Sequence, residues 1–110
     1  MSQQKRQVGI TGSSFLPNAG NYIARLKPKQ QVRLEREPQN KYHSNAVAVY
    51  TFGTKLGYFP RGFADIVAPI MDAGGTVTAT KSADPKFAQT GVLLVAWEAP
   101  DAEAVTGADR

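Results

Sequence analysis

The segment REPQNKYHSN, residues 36–45, contains several side chains of types that can bind a ligand, and it lies directly before the apolar run AVAVY. Asn40 carries an amide that both donates and accepts hydrogen bonds, and Tyr42 carries a ring on which a nucleobase can stack. His43 is the single histidine of the chain. Since no apolar periodicity surrounds Tyr42, its ring is a candidate for binding. The alternative is a ring that lies flat over the edge of a sheet, in an ordinary polar turn.

Cationic side chains lie close to these residues in the sequence. Lys41 is inside the segment, Lys55 follows the next apolar run, and Arg61 comes directly after Pro60, at a predicted helix start. The unpaired amides and the positive dipole end of a helix N-terminus suit an anion such as phosphate. Base stacking combined with phosphate neutralisation is how proteins hold single strands. The candidate nucleic-acid-binding residues are therefore Asn40, Lys41, Tyr42, His43, Lys55 and Arg61.

Catalytic and metal-binding arrangements lack the residues that they need. The chain has no cysteine and one histidine, which excludes thiolate and histidine-rich metal sites. The stretch GITGSS has neither the lysine nor the spacing of a phosphate-binding loop. We interpret Asp65 and Asp72, on one face of a predicted helix, as solvated charges, and Arg36 and Glu37 as residues that can pair at a strand end. We expect no enzymatic activity, no metal, no cofactor and no small-molecule substrate.

Charge is distributed unevenly along the 110 residues, whose net charge is +4. Residues 1–97 carry twelve Lys and Arg against five Asp and Glu, whereas the tail from Glu98 has a net charge of −3. A basic body suits a polyanion such as nucleic acid, and plain solubility charge is the alternative. The length predicts one domain. No stretch resembles a membrane span or a signal core, so we expect no membrane contact and a cytoplasmic location.

The elements that must position these residues are mostly short strands. Alternating or β-rich runs predict strands, and an apolar period near 3.6 predicts a helix. The predicted strands cover residues 7–11, 31–37, 46–52, 55–60, 76–83 and 92–97, and the predicted helices cover residues 21–26 and 60–73, the second with a kink or break at Pro69. This order predicts a mainly β fold with one or two helices, a small OB-like β-barrel of about five or six strands. Residues 1–6 are expected to form a flexible arm, residues 7–97 the domain, and residues 98–110 an acidic disordered tail.

Two stretches, REPQNKYHSNAVAVY (36–50) and KLGYFPRGFADIVAPIMDAG (55–74), together with Val8-Gly9 and Leu34-Glu35, resemble the HIRAN domain. The resemblance spans about residues 7–97. It implies an OB-like barrel that in eukaryotic members captures the 3′-hydroxyl end of single-stranded DNA. By the same resemblance, Asn40, Tyr42 and His43 fall where members contact the terminal nucleotide, and Arg61 falls on a phosphate-contacting position.

The chain departs from the eukaryotic members at two places. His43 stands where they have an aspartate that receives the 3′-hydroxyl, and residues 11–14, TGSS, stand where they place an arginine and an aromatic residue. Phe15 and Tyr22 are candidate substitutes for that aromatic residue. The resemblance implies a non-catalytic DNA-binding module for single-stranded DNA or DNA 3′ ends, in repair, replication or recombination. The alternative is a protein-interaction adaptor for a separate nuclease or helicase.

Overall fold

The computed structural model describes residues 3–98, which form a six-stranded antiparallel half-barrel with two α-helices. The strands are β1 (Gln4–Gly9), β2 (Gln31–Arg36), β3 (Val47–Thr51), β4 (Thr54–Tyr58), β5 (Thr76–Lys81) and β6 (Val92–Glu98). The helices are α1 (Ala19–Ala24) and α2 (Arg61–Asp72), and 3₁₀ turns occupy Ser13–Phe15 and Pro85–Phe87. The predicted mainly β fold is confirmed. The acidic tail predicted after Glu98 lies outside the described residues.

The sheet curls until its two edges approach each other. Its strand order is β1-β6-β5-β2-β3-β4, and all neighbouring strands are antiparallel. Beyond β1 the chain continues to Thr11, whose backbone N–H donates to Tyr58 O at 2.8 Å and whose carbonyl accepts from the Tyr58 N–H at 2.9 Å. Because Tyr58 ends β4, this bridge joins the two edges at one point and holds the loop after β1 against β4.

β1 begins earlier than the sequence predicts. Gln4 pairs with Trp97 and Gly9 pairs with Val92, so the flexible arm expected over residues 1–6 is corrected for residues 4–6, which belong to the strand. Only Val8 of β1 is buried. The side chains of this edge strand therefore lack the apolar alternation by which a strand is recognised, while the ladder to β6 uses backbone groups that polar residues supply equally well.

β3 and β4 form a hairpin, which is joined by a two-residue turn. The sequence predicts Phe52 as the end of a strand, whereas the structure places it in the turn beside Gly53. Both residues have positive φ, 48° and 79°, as a type I′ turn requires. The Phe52 side chain is 88% exposed. Glycine is ordinary at such a position, whereas an aromatic residue there is uncommon.

α2 packs on the half-barrel and supplies part of its core. Its buried residues recur at helical spacing and are Phe63, Ala64, Val67 and Ala68. The Phe63 ring meets Phe59 and Trp97 edge to face, with ring centres 5.1 Å and 5.3 Å apart. The helix runs on through Pro69, so no break occurs there, because proline removes one backbone donor but keeps a helical φ. Within residues 3–98, no helix is long and apolar enough to cross a membrane.

Gly57 lies where the two edges of the sheet meet. Its φ is +148°, and a Cβ placed on it would collide with the carbonyl oxygen of Thr11 and lie 2.6 Å from Ile10 Cγ2. The close approach of the two backbones at this point therefore depends on a residue without a side chain.

Gly57→Ala is expected to destabilise the domain, because the new methyl group must push Thr11 away from β4. The strained φ and the overpacking together should lower the free energy of unfolding by at least about 2 kcal/mol, measured by urea denaturation. Gly62→Ala is the matched control, since nothing lies within 4 Å of that position, and its stability should be unchanged or raised by up to about 1 kcal/mol. Equal stability of the two variants would contradict this account of how the sheet closes.

Candidate nucleic-acid interface

A cleft of about 720 Å³ opens beside the Thr11–Tyr58 bridge. Its walls come from the loop after β1, from the segment 40–46 and from the junction of β4 with α2. Five of the six site residues predicted from the sequence line this cleft, namely Asn40, Lys41, Tyr42, His43 and Arg61. The fold therefore brings these five residues to one concave surface. Lys55 does not line the cleft, but its Nζ hydrogen-bonds to Tyr58, which does.

Two exposed aromatic rings line the cleft from different segments. Tyr42 is 76% exposed and Phe15 is 88% exposed. Lys41 Nζ lies 5.5 Å from the centre of the Tyr42 ring, within the range of a cation–π contact. Rings this exposed contribute little to the core, so their faces are open to a planar ligand.

Asn40 shapes the backbone that carries Tyr42. Its Oδ1 accepts hydrogen bonds from the backbone N–H groups of Tyr42 at 2.8 Å and of His43 at 3.1 Å. Its Nδ2 donates to Glu37 Oε1 at 3.1 Å. An asparagine that caps the amides following it folds the chain into a compact turn. The two interpretations of REPQNKYHSN are thus compatible, because the turn made by Asn40 is what presents Tyr42 to the cleft.

Glu37 connects this turn to β4. Its Oε1 accepts a hydrogen bond from the Tyr58 hydroxyl at 2.9 Å, and its Oε2 accepts one from Lys55 Nζ at 2.7 Å. Lys55 Nζ also donates to the Tyr58 hydroxyl at 2.9 Å. The charge of Lys55 is therefore balanced inside this network, and Lys55 supports the cleft by holding Glu37 and Tyr58.

These contacts shift the pKa values of Glu37 and Lys55 in opposite directions. Burial alone would raise the pKa of Glu37, but the hydrogen bonds from Lys55, Asn40 and Tyr58 outweigh it and hold that pKa below its ordinary value. The hydrogen bond to Glu37, followed by the one to Tyr58, raises the pKa of Lys55 above its ordinary value. Glu37 and Lys55 consequently form an ion pair at neutral pH.

His43 reaches from the cleft to α2. Its side chain is 18% exposed, and its Nε2 lies 3.0 Å from Asp65 Oδ1. This nitrogen is buried but forms no aligned hydrogen bond, so the contact with Asp65 is a close electrostatic one. Asn45 Nδ2 donates to the same carboxylate oxygen at 3.0 Å. Asp65 is about half exposed, with 52% of its side chain accessible, as expected of a solvated charge, but it also contacts two residues of the segment that forms the cleft.

Asp72 binds Arg36, the last residue of β2, where the segment 36–45 begins. Arg36 Nε donates to Asp72 Oδ1 at 2.9 Å and Nη2 donates to Oδ2 at 3.1 Å, while Nη1 donates to the carbonyl of Ala46 at 2.8 Å. The hydrogen bond from Arg36 lowers the pKa of Asp72. The suggested pairing of Arg36 with Glu37 does not form, because neighbouring side chains in an extended segment point to opposite faces.

Arg61 is the first residue of α2 and lines the cleft with an exposed side chain. None of the ion pairs formed among residues 3–98 includes it. The first backbone N–H groups of a helix have no partner within the helix, so this corner of the cleft combines donors with an uncompensated cation. No group of three or more His, Asp or Glu side chains suited to a metal ion occurs in the described part of the chain.

Comparison with known protein families gives a match over most of the chain. Residues 4–94 match the HIRAN domain. The chain belongs to the HIRAN domain family. HIRAN domains are known as DNA-binding modules. No curated protein sequence gives a significant match to the chain.

Solved structures with the same fold include another HIRAN domain. The crystal structure of a protein from Lactobacillus plantarum is 24% identical, with a TM-score of 0.71 over 87% of this chain and 97% of that one. The crystal structure of the HIRAN domain of human HLTF is 20% identical, with a TM-score of 0.68 over 98% of this chain and 84% of that one. An NMR structure of the HLTF HIRAN domain is 18% identical, with a TM-score of 0.56 over 93% of this chain and 84% of that one.

The structure also separates the two substitutes suggested for the missing aromatic residue. Phe15 lines the cleft of this HIRAN domain, whereas Tyr22, on α1, does not. Glu37 and Asp65 are the supporting residues that the sequence analysis did not assign to the site. A carboxylate one helical turn after Arg61 is a usable signal for Asp65, because residues four apart share one face of a helix.

The carboxylate of Glu37 predicts a specific acid sensitivity. Because its pKa is lowered in the fold from an ordinary value of 4.5, the stability that it contributes is present above that value and is lost as the pH falls through the folded pKa. Glu37→Gln should therefore flatten the loss of thermal stability as the pH falls from about 5 to about 3, followed by circular dichroism. Glu35→Gln, which alters an exposed carboxylate on β2, is the matched control and should keep the original profile. An unchanged profile for Glu37→Gln would contradict the role of the network.

Proposed function

We propose that this HIRAN domain is a non-catalytic module that binds single-stranded DNA at or near a 3′ end, in a repair, replication or recombination context. The observation that carries the proposal is the meeting of two exposed rings, Tyr42 and Phe15, with the uncompensated Arg61 in one cleft. Stacking faces beside a phosphate-binding corner suit a strand whose bases are not paired.

Each part of the cleft has a role in this proposal. Tyr42 and Phe15 stack on bases, and Arg61 with the first amides of α2 receives a phosphate. Lys41, exposed beside Tyr42, adds attraction for the backbone. Asn40 and Lys55 act mainly as positioning residues, since their polar groups are bound to Glu37 and to the backbone of the turn.

His43 is the residue that we assign to the terminal hydroxyl. Its side chain lines the cleft, while its Nε2 lies beside Asp65, which does not line the cleft. A neutral imidazole has one ring nitrogen that accepts a hydrogen bond, and we assign the hydrogen bond of a 3′-hydroxyl to it.

The test is fluorescence anisotropy with single-stranded oligonucleotides that end in a 3′-hydroxyl, a 3′-phosphate or a blocked 3′ group. The 3′-hydroxyl end should bind most tightly. Tyr42→Ala should weaken binding by roughly 1–3 kcal/mol, the contribution of one stacked base. Tyr22→Ala is the matched control, because this tyrosine is exposed on α1 and does not line the cleft.

The outcomes separate the two parts of the proposal. Equal binding of all three ends, with Tyr42→Ala still weaker than Tyr22→Ala, would contradict recognition of the end but not of the strand. Negligible binding of all three oligonucleotides at low salt would contradict the proposed function as a whole and would leave a protein partner as the remaining interpretation.

A further inference from the structure

Three segments meet at the end of β4 that lies away from the cleft. The end of β3, directly before the hairpin turn, is joined to the loop before β2, because Gln30 Nε2 donates to Thr51 Oγ1 at 3.2 Å. The same loop is joined to the end of β5, because the backbone N–H of Lys29 donates to Lys81 O at 2.8 Å. The buried Lys81 in turn donates from Nζ to Phe87 O at 2.7 Å, which fixes the loop before β6 at this end of the half-barrel.

The surface formed by these segments is basic and carries an exposed ring. Its exposed residues are Lys27, Lys29, Phe52 and Lys86, which we call the hairpin-end patch. Asp84 is the acidic residue of these segments, and it caps the following 3₁₀ turn while lying 3.9 Å from Lys86 Nζ. The patch therefore keeps an excess of positive charge, and none of its residues lines the cleft.

The backbone conformation of Phe52 is unfavourable for an aromatic residue, and the turn would form equally well with glycine. Its φ of 48° lies in the left-handed region, where an aromatic residue is strained and glycine or asparagine is favoured. The ring is 88% exposed, so packing does not compensate for that strain. Lys29 has a similarly unfavourable φ of 70°. Local conflicts of this kind are expected where a residue serves binding.

The distance between the patch and the cleft matches a short length of nucleic acid. Tyr58 lines the cleft and Thr54 begins the same strand at the hairpin turn. At a rise of about 3.3 Å per residue, these two residues are roughly 13 Å apart along β4. Successive phosphates of one fully stacked strand advance about 3.4 Å, and an unstacked single strand covers more per nucleotide, so at most about four nucleotide steps separate the two surfaces.

We propose that the hairpin-end patch is a second contact surface for the same nucleic-acid strand, within about four nucleotides of the end held in the cleft. Phe52 stacks on a base, and Lys27, Lys29 and Lys86 neutralise backbone phosphates. This inference rests on the proposed function, because it assigns to the bound DNA strand a path from the cleft along β4. If the patch contributes to binding, affinity for DNA depends on oligonucleotide length.

Two variants each remove one side chain of the patch at a position that accepts glycine. Phe52→Gly and Lys29→Gly both place glycine where the φ is already positive, so thermal stability should be kept or raised. Lys5→Ala is the charge-matched control for Lys29→Gly, because Lys5 is exposed on β1 and belongs to neither surface. Tyr42→Ala reports on the cleft itself.

The experiment compares a dinucleotide, whose single phosphate step is too short to span the roughly 13 Å between the cleft and the patch, with a 12-nucleotide single strand of the same 3′ sequence, by fluorescence anisotropy at several salt concentrations. Phe52→Gly should weaken binding of the 12-nucleotide strand by about 5-fold or more, the lower end of what one stacked base contributes, and leave binding of the dinucleotide unaffected. Lys29→Gly should lower the salt slope for the longer strand by about 0.7. Tyr42→Ala should weaken both lengths.

Three results would overturn the inference in different ways. Binding of the longer strand by Phe52→Gly and Lys29→Gly that equals binding by Lys5→Ala would remove the second surface and keep the proposed function. Equal weakening of both lengths by Phe52→Gly would mean that the patch has no separate role. Failure of the unaltered chain to bind either length would contradict the proposed function together with this inference.

Discussion

The carboxylate of Glu37 fixes the geometry on which the cleft depends. It lies directly after β2 and accepts hydrogen bonds from Asn40, Lys55 and Tyr58, so the turn, β2 and β4 meet at one charged group. Withdrawing a carboxylate from water is costly unless charge-assisted hydrogen bonds replace the lost hydration. Three partners supply that replacement here. Asn40, held by Glu37, then caps the backbone of Tyr42, and an exposed ring is carried on a constrained turn.

α2 supports the same surface from its other side. Asp65 contacts His43 and Asn45, and Asp72 binds Arg36, so two carboxylates on one helix hold both ends of the segment that carries the ring. The first turn of this helix also brings Arg61 into the cleft. A single helix thus contributes to the core, anchors the segment that carries Tyr42 and brings a cationic side chain to the cleft.

The sequence predicts the local features of this molecule well. β2 alternates and α2 repeats its apolar residues at helical spacing, so each can be recognised from a few neighbouring residues. The two strands of the hairpin are recognisable as β-rich runs, whereas the sequence assigns Phe52 to the strand and the structure places it in the turn. The segment 40–43 is identifiable because a polar stretch contains a tyrosine without an apolar period.

The remaining features depend on partners that are distant in the sequence. β1 starts at Gln4 because the backbone groups of this strand pair with those of β6. Backbone pairing requires no apolar alternation, so the polar side chains of residues 4–7 do not reveal the strand. The pairing of Glu37 with Lys55, 18 residues later, and the contact of His43 with Asp65 exist only once the sheet has curled. The position of Phe15 on the cleft wall likewise depends on the Thr11–Tyr58 bridge, which no local pattern encodes.

We propose that the cleft beside this bridge binds single-stranded DNA. A titration of the ¹⁵N-labelled protein with a 3′-hydroxyl trinucleotide, followed by two-dimensional NMR, tests this binding site residue by residue. The largest chemical-shift changes are expected on the backbone amides of residues 11–16, 40–46 and 61–63. Changes that are absent there, or that concentrate on another face of the half-barrel, would contradict it.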